Sequence, residues 1–165
     1  VRADGCELPL KSNMFDLVLL NHVLEHVLGQ QNLLNEILRV LRPGGICYLA
    51  TPNRYCILEP HYRLPFLSWL PRSLANLYVR LTGQGPRYLD YLSSRSQLRK
   101  LTQHFQVSDW TGLILSDPEY FFGSDPDFRY LTQLLRFIPF WFLKLFMPLL
   151  PVYVLILRRR QSTRT

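Results

Sequence analysis

Phe15-Asp16-Leu17-Val18-Leu19-Leu20 and Ile46-Cys47-Tyr48-Leu49-Ala50 bracket the stretch that decides the fold. Each is a short apolar run suited to a strand buried on both faces of a sheet. Between them, from Asn32 to Arg42, apolar residues recur at Leu33, Leu34, Ile37, Leu38 and Leu41, with Asn35, Glu36, Arg39 and Arg42 in the gaps. That spacing predicts a helix with one face on a core. Pro43-Gly44-Gly45 is expected to stop it, because proline cannot continue the hydrogen-bond ladder and glycine tolerates a left-handed cap. Thr51-Pro52-Asn53 closes the second strand. Strand, helix, turn and strand make a βαβ unit, which implies a right-handed crossover in a parallel sheet.

Outward from this unit, Val1-Arg2-Ala3-Asp4 reads as the end of a strand entered in mid-fold, so the chain is expected to be a fragment without its N-terminal part. Asn21 to Val27 is a loop or a first helical turn. Residues 54–92 carry Pro60, Pro65, Pro71 and Pro86, which predicts short helices at about 67–70 and 72–81. Residues 94–104 read as a helix capped by Ser94 or Ser96, with Leu98 and Leu101 inward, and 105–115 as a strand. From Phe137 to Leu157 only Lys144 is charged. Length and polarity there fit a membrane span, with the following arginines as its flank. Pro139, Pro148 and Pro151 favour a helix at about 128–147 and then a strand at 152–157, rich in Val, Tyr and Ile.

The 165 residues, 48% hydrophobic and 19% charged, suffice for one domain and exclude a disordered or collagen-like chain. Three cysteines, Cys6, Cys47 and Cys56, form no C-x-x-C pair, so neither a disulfide framework nor a zinc site is indicated. The expected setting is reducing and cytoplasmic. The net charge of +7 is concentrated by Arg158, Arg159, Arg160 and Arg164 at the end of an apolar segment. This placement suits anionic lipid or a solvated terminus better than nucleic acid, where basic residues interleave with stacking aromatics. Phe140, Trp141, Phe142 and Phe146, beside Arg136 and Lys144, also suit a bilayer surface, so peripheral membrane contact through 128–160 is expected.

Two constellations at strand ends carry chemistry. In Asp4-Gly5-Cys6 an acid followed by backbone amides matches the hydrogen-bonding edge of an adenine. Asn21-His22-Val23-Leu24-Glu25-His26 follows the first buried strand and places polar side chains at the same crevice.

Asp4-Gly5-Cys6-Glu7-Leu8-Pro9, Phe15-Asp16-Leu17-Val18, Leu24-Glu25-His26-Val27 and Leu38-Arg39-Val40-Leu41-Arg42-Pro43-Gly44-Gly45 stand in one order. In that order the chain resembles the class I S-adenosylmethionine-dependent methyltransferases, nearest to the ubiquinone/menaquinone-biosynthesis group. The resemblance covers residues 1–56 well and 94–115 and 152–157 loosely. It implies a Rossmann-like α/β fold, with a mostly parallel sheet, an antiparallel last strand and the first strands missing. It divides the chain into part of a cofactor-binding core at 1–56, a substrate-cover insertion at 57–93, and a last helix, closing strands and aromatic insertion at 94–165. It also implies S-adenosylmethionine as cofactor, with Asp4, Gly5 and Cys6 at the adenine and Asn21 and His22 beside the methionine moiety. The family's glycine-rich loop and ribose-binding acid have no counterpart here, so this chain alone is expected to bind the cofactor poorly.

His22, His26 and His61 are the candidate bases, with Glu25 placed to orient His26; a capping role for Glu25-His26 stands beside that reading. Glu59, His61, Tyr62 and Arg63 are candidate substrate contacts. A metal is not expected, although some quinone-pathway relatives bind one with an acid where this chain has His22. The expected activity is methyl transfer, preferably to oxygen, on a hydrophobic or lipid-linked small molecule. The alternatives are a non-catalytic, membrane-associated remnant of the fold and a nucleic-acid methyltransferase.

Overall fold

A computed structural model describes residues 2–112 and 150–161. Four strands form one sheet: β1 (Phe15–Asn21), β2 (Leu41–Pro52), β3 (Phe105–Asp109) and β4 (Val152–Arg159), in the spatial order β1-β2-β4-β3. β1 and β2 are parallel, whereas β4 runs antiparallel to both β2 and β3. The expected antiparallel last strand is therefore present, inserted between the two strands it joins. Helix α1 (Gln30–Val40) makes the crossover between β1 and β2. Its Leu33, Leu34 and Ile37 are buried with Leu20, Cys47, Leu49, Leu155 and Leu157 in the main core. Each such side chain contributes about 2 kcal/mol through burial.

Two expectations are corrected here. α1 ends at Val40, not at Arg42, and Leu41 is already extended. Arg42 precedes a proline and is steered away from helical angles, so the chain leaves the helix early. The stretch Arg42–Gly45 then bulges: the register passes from Phe15↔Leu41 to Leu17↔Ile46, which leaves extra residues in β2. Gly44 takes a φ of +83° at this bulge. A Cβ on Gly45 would meet the carbonyl oxygens of Arg42, Phe15 and Asp16 at 2.9, 3.1 and 3.2 Å. The second correction concerns β1, which is not buried on both faces. Leu20 packs on the core, but Leu17 and Leu19 are 51% and 68% exposed. β1 is an edge strand among the described residues, and α1 covers only one of its faces.

The proline-punctuated segment folds as expected, with a 3-10 turn at Leu67–Trp69 and α2 (Arg72–Leu81). It has its own apolar cluster of Cys56, Leu64, Leu67, Ala75, Val79, Tyr88 and Leu92. α3 (Arg95–Leu101) begins at Ser94, whose hydroxyl accepts from the Gln97 amide while the Gln97 side chain accepts from the Ser94 amide. This reciprocal pair satisfies two otherwise orphaned donors.

The expected helix at 128–147, with its aromatic residues, Arg136 and Lys144, lies outside the described residues. Residues 152–157 lie within β4, so no single helix runs from 137 to 157. No helix among the described residues is long and apolar enough to cross a membrane. Arg159 departs from the expected free basic tail. One of its terminal nitrogens donates to the carbonyls of Leu38, Arg39 and Leu41 and to Asn13 Oδ1. It thereby satisfies carbonyls that the end of α1 leaves open.

Candidate active site

The carboxyl ends of β1 and β2 face the segment that follows β2, and the ionisable side chains converge there. Asn21 ends β1, and His22 follows with a φ of +52° while its amide donates to the Ala50 carbonyl. A 3-10 turn at Leu24–His26 then buries Glu25 completely. The Tyr91 amide donates to the Glu25 carbonyl at 2.7 Å, and the Gln30 side chain donates to the carbonyls of Leu24 and Tyr91. These bonds stitch residues 90–93 onto the turn and bring Asp90 to His26.

His26 Nδ1 lies 2.7 Å from Asp90 Oδ1, and Asp90 is 5% exposed. A carboxylate only accepts, so the hydrogen bond places a proton on Nδ1. The His61 ring meets that of His26 edge to face, with centroids 4.8 Å apart. His61 Nδ1 is 3.3 Å from Glu59 Oε1 and 3.5 Å from Asp90 Oδ2, and its Nε2 is 4.0 Å from Glu25 Oε1.

The expected partner of His26 is corrected: Asp90 holds the ring, while Glu25 Oε1 faces His22 Nδ1 at 3.4 Å and Glu25 Oε2 accepts from Thr51 Oγ1 at 3.1 Å. Neither side chain caps α1, whose N-cap is Gly29 without a side-chain hydrogen bond. Glu59 is fully buried and accepts from the amides of His61 and Tyr62 at 2.8 and 2.6 Å, which fixes the loop carrying His61. Tyr62 stacks on Tyr88 and accepts from the Leu89 amide, whereas Arg63 is exposed with a φ of +51°.

Glu25, Glu59 and Asp90 thus bury three carboxylates in one cluster, and buried carboxylates demand hydrogen-bond or ionic partners. Among the described residues Glu25 Oε1 has no hydrogen-bond partner, only the ionic approach of His22 and His61. Glu25, His26 and His61, and likewise Glu59, His61 and Asp90, each offer three donor atoms within 4.8 Å of one another that could hold a metal ion. Beside the cluster a cavity of about 330 Å³ is lined by Arg54, Arg72, Tyr88, Asp90 and Tyr91 among others. The Arg72 guanidinium lies over the Tyr88 and Tyr91 rings and donates to the Asp90 carbonyl at 2.6 Å.

Asp4, Gly5 and Cys6 form a separate turn. The Cys6 amide donates to Asp4 Oδ1 at 2.9 Å, so this amide is already committed. Gly5 packs so closely that a Cβ would stand 2.8 Å from Leu33 Cδ1.

Asp90 and Thr51 are absent from the sequence-based candidates. Asp90 stands 64 positions from His26, in no local motif. The available signal was compositional: Glu59 and Asp90 are the only acids between residues 54 and 93.

This sheet order, with an antiparallel strand beside parallel ones, defines a Rossmann-like fold of methyltransferase type. The crystal structure of an S-adenosylmethionine-dependent methyltransferase from Thermotoga maritima, described as a possible histamine N-methyltransferase, shares it. The TM-score is 0.53 at 15% identity, over 97% of this chain and 63% of that one. Residues 1–49 match the family described as a methyltransferase domain. A probable S-adenosylmethionine-dependent methyltransferase of Mycolicibacterium smegmatis is 46% identical over 48 residues, 29% of this chain and 19% of its own length. The demethylmenaquinone methyltransferase of Mycobacterium tuberculosis is 31% identical over 96 residues, 56% of this chain and 38% of its own length. The chain thus spans well under half the length of these curated relatives. Fold, motif order and the match over residues 1–49 make the chain similar to class I S-adenosylmethionine-dependent methyltransferases.

Proposed function

We propose that the protein transfers a methyl group from S-adenosylmethionine to a hydroxyl of a hydrophobic or lipid-linked small molecule, with His26 as the base. The observation that carries this reading is the 2.7 Å pair of His26 Nδ1 and Asp90 Oδ1 beside an open cavity. Similarity to demethylmenaquinone methyltransferases supports a hydrophobic acceptor.

The first test of fit is steric. A Cβ on Gly5 would point at Leu33 Cδ1, 2.8 Å away, so its absence lets the turn that carries Asp4 seat closely on α1. Asp4 Oδ2 and the Gly5 amide would hold its edge, while the Cys6 amide, bound to Asp4, would have to be released to contribute. Asn21 and His22 would flank the methionine end. When bound, S-adenosylmethionine supplies a methyl on a sulfonium that is already a good leaving group.

The chain's own task is then to position the acceptor and take its proton. His26 Nε2 accepts the hydroxyl proton as the oxygen forms its bond to carbon, and Asp90 stabilises the resulting imidazolium. His61, fixed by Glu59, meets the His26 ring edge to face, with Tyr62 and Arg63 on its loop as further acceptor contacts. Alignment of the oxygen supplies much of the remaining acceleration. Peripheral contact with the cytoplasmic face of a membrane through residues 128–160 completes the reading.

The test uses the product of the complete reading frame, with cofactor binding by calorimetry and transfer of labelled methyl to a demethylated quinol. Tight binding with turnover that His26→Ala abolishes supports the proposal. Absence of cofactor binding would leave a non-catalytic fold.

A further inference from the structure

Between Arg54 and Ser93 the chain has five arginines and two acids, and both acids are buried. The outer surface of this segment therefore presents Arg63, Arg80 and Arg87 with no exposed carboxylate among them, while Arg72 is committed to the Asp90 carbonyl and the Tyr88 and Tyr91 rings. The same segment also exposes large apolar side chains. Tyr55, Phe66 and Trp69 form an exposed aromatic cluster, with Trp69 5.8 Å from Tyr55 and 5.4 Å from Phe66 between ring centroids. Ile57, 53% exposed, joins it through the hydrogen bond from the Phe66 amide. On α2, Leu74, Leu77 and Leu81 recur on one helical face and are 51%, 43% and 76% exposed, while Ala75 and Val79 supply the buried face.

Backbone conformation adds an independent sign. Arg63 and Phe66 both adopt left-handed φ values, +51° and +57°, which side chains with a Cβ enter only at a cost. The Glu59 carboxylate, bound to the amides of His61 and Tyr62, fixes the turn that leads into Arg63. The fold thus holds one arginine and one aromatic ring at the surface in a conformation that packing alone does not reward.

We propose that this face of segment 54–91 docks on an anionic lipid bilayer, with Phe66 and Trp69 at the headgroup boundary and the arginines on lipid phosphates. Exposed aromatic and leucine side chains interspersed along the segment with exposed arginines are the composition of an interfacial membrane surface. Charge complementarity favours anionic lipid, since each arginine near such a surface adds attraction and no carboxylate here opposes it. This surface is distinct from residues 128–160, and the inference does not depend on methyl transfer.

The experiment is flotation of the full chain with vesicles of phosphatidylcholine alone and with a quarter phosphatidylglycerol. It is paired with the emission of Trp69 in the W110F/W141F background. Expected are at least tenfold tighter binding to the anionic vesicles, weakening at high salt, and a blue shift of Trp69. F66S/L77S and R80E/R87E should each lower binding by about tenfold or more while retaining the circular dichroism spectrum. The proposal is overturned if the chain ignores anionic vesicles. It is also overturned if R158S/R160S abolishes binding that both surface variants keep, which would assign the contact to the terminal arginines. Unchanged vesicle binding with impaired methyl transfer in the surface variants would assign the face to the acceptor instead.

Discussion

His26 and Asp90, 64 residues apart in the chain, meet at 2.7 Å, and the contact joins the turn after β1 to the last loop of the proline-rich segment. Asp90→Asn keeps the shape and removes the charge that fixes the Nδ1–H tautomer. For the proposed methyl transfer, kcat is expected to fall roughly 10- to 100-fold with cofactor affinity unchanged. His26→Ala should lower kcat at least as far, and the double variant little further, because the two residues act as a unit. Steady-state kinetics beside cofactor calorimetry make the comparison. A lower melting temperature with unaltered turnover would assign the pair a structural role.

Gly45 sits where three backbone oxygens converge, and backbone cannot rotate aside as a side chain can. Gly45→Ala is expected to destabilise by roughly 2–3 kcal/mol, the cost of overpacking a rigid site. Chemical denaturation measures it directly.

Arg159 ties β4 to the open carbonyls at the end of α1. Arg159→Ala should cost about 1–3 kcal/mol, since it leaves several partners without a donor. Arg158→Ala and Arg160→Ala, both exposed, should stay within about 0.5 kcal/mol. Thermal melts of the three variants separate the structural arginine from its neighbours.

Glu36 predicts an acid limb. The Arg39 guanidinium, bound at 2.8 Å to each carboxylate oxygen, and then the Leu8 amide pull its carboxyl from 4.5 down to about 2. A depressed folded value means that the unfolded chain binds the proton first. The stabilisation is therefore complete above about pH 4.5 and lost as the pH falls toward 2. Melting temperatures of the native chain and Glu36→Gln should converge across that window. A constant gap down to pH 2 would contradict the assignment.

Much of the fold was legible because its signals are local. The spacing of Leu33, Leu34 and Ile37, the prolines around α2, and Ser94 with Gln97 each act within one or two turns. The bulge at Gly44 and Gly45 was misread as a helix stop, since glycine serves a cap and a close backbone approach equally well. Exposure of Leu17 and Leu19 was hidden because an apolar run does not reveal how many faces are covered. In the site, His22, His26 and His61 were visible as residues, but their grouping was not. It depends on a hydrogen bond from Tyr91 to Glu25 and on a carboxylate at position 90, both set by tertiary folding.

The order β1-β2-β4-β3 leaves β2 and β3 without a hydrogen bond to each other. A ribosome must therefore deliver Val152–Arg159 before this sheet can close. Until Val152–Arg159 emerges, β2 offers an open edge to any other extended segment, including that of a neighbouring nascent chain. Among the described strands, the one latest in chain order is the one that makes two halves of a sheet into one, so closure of this sheet waits on the emergence of β4.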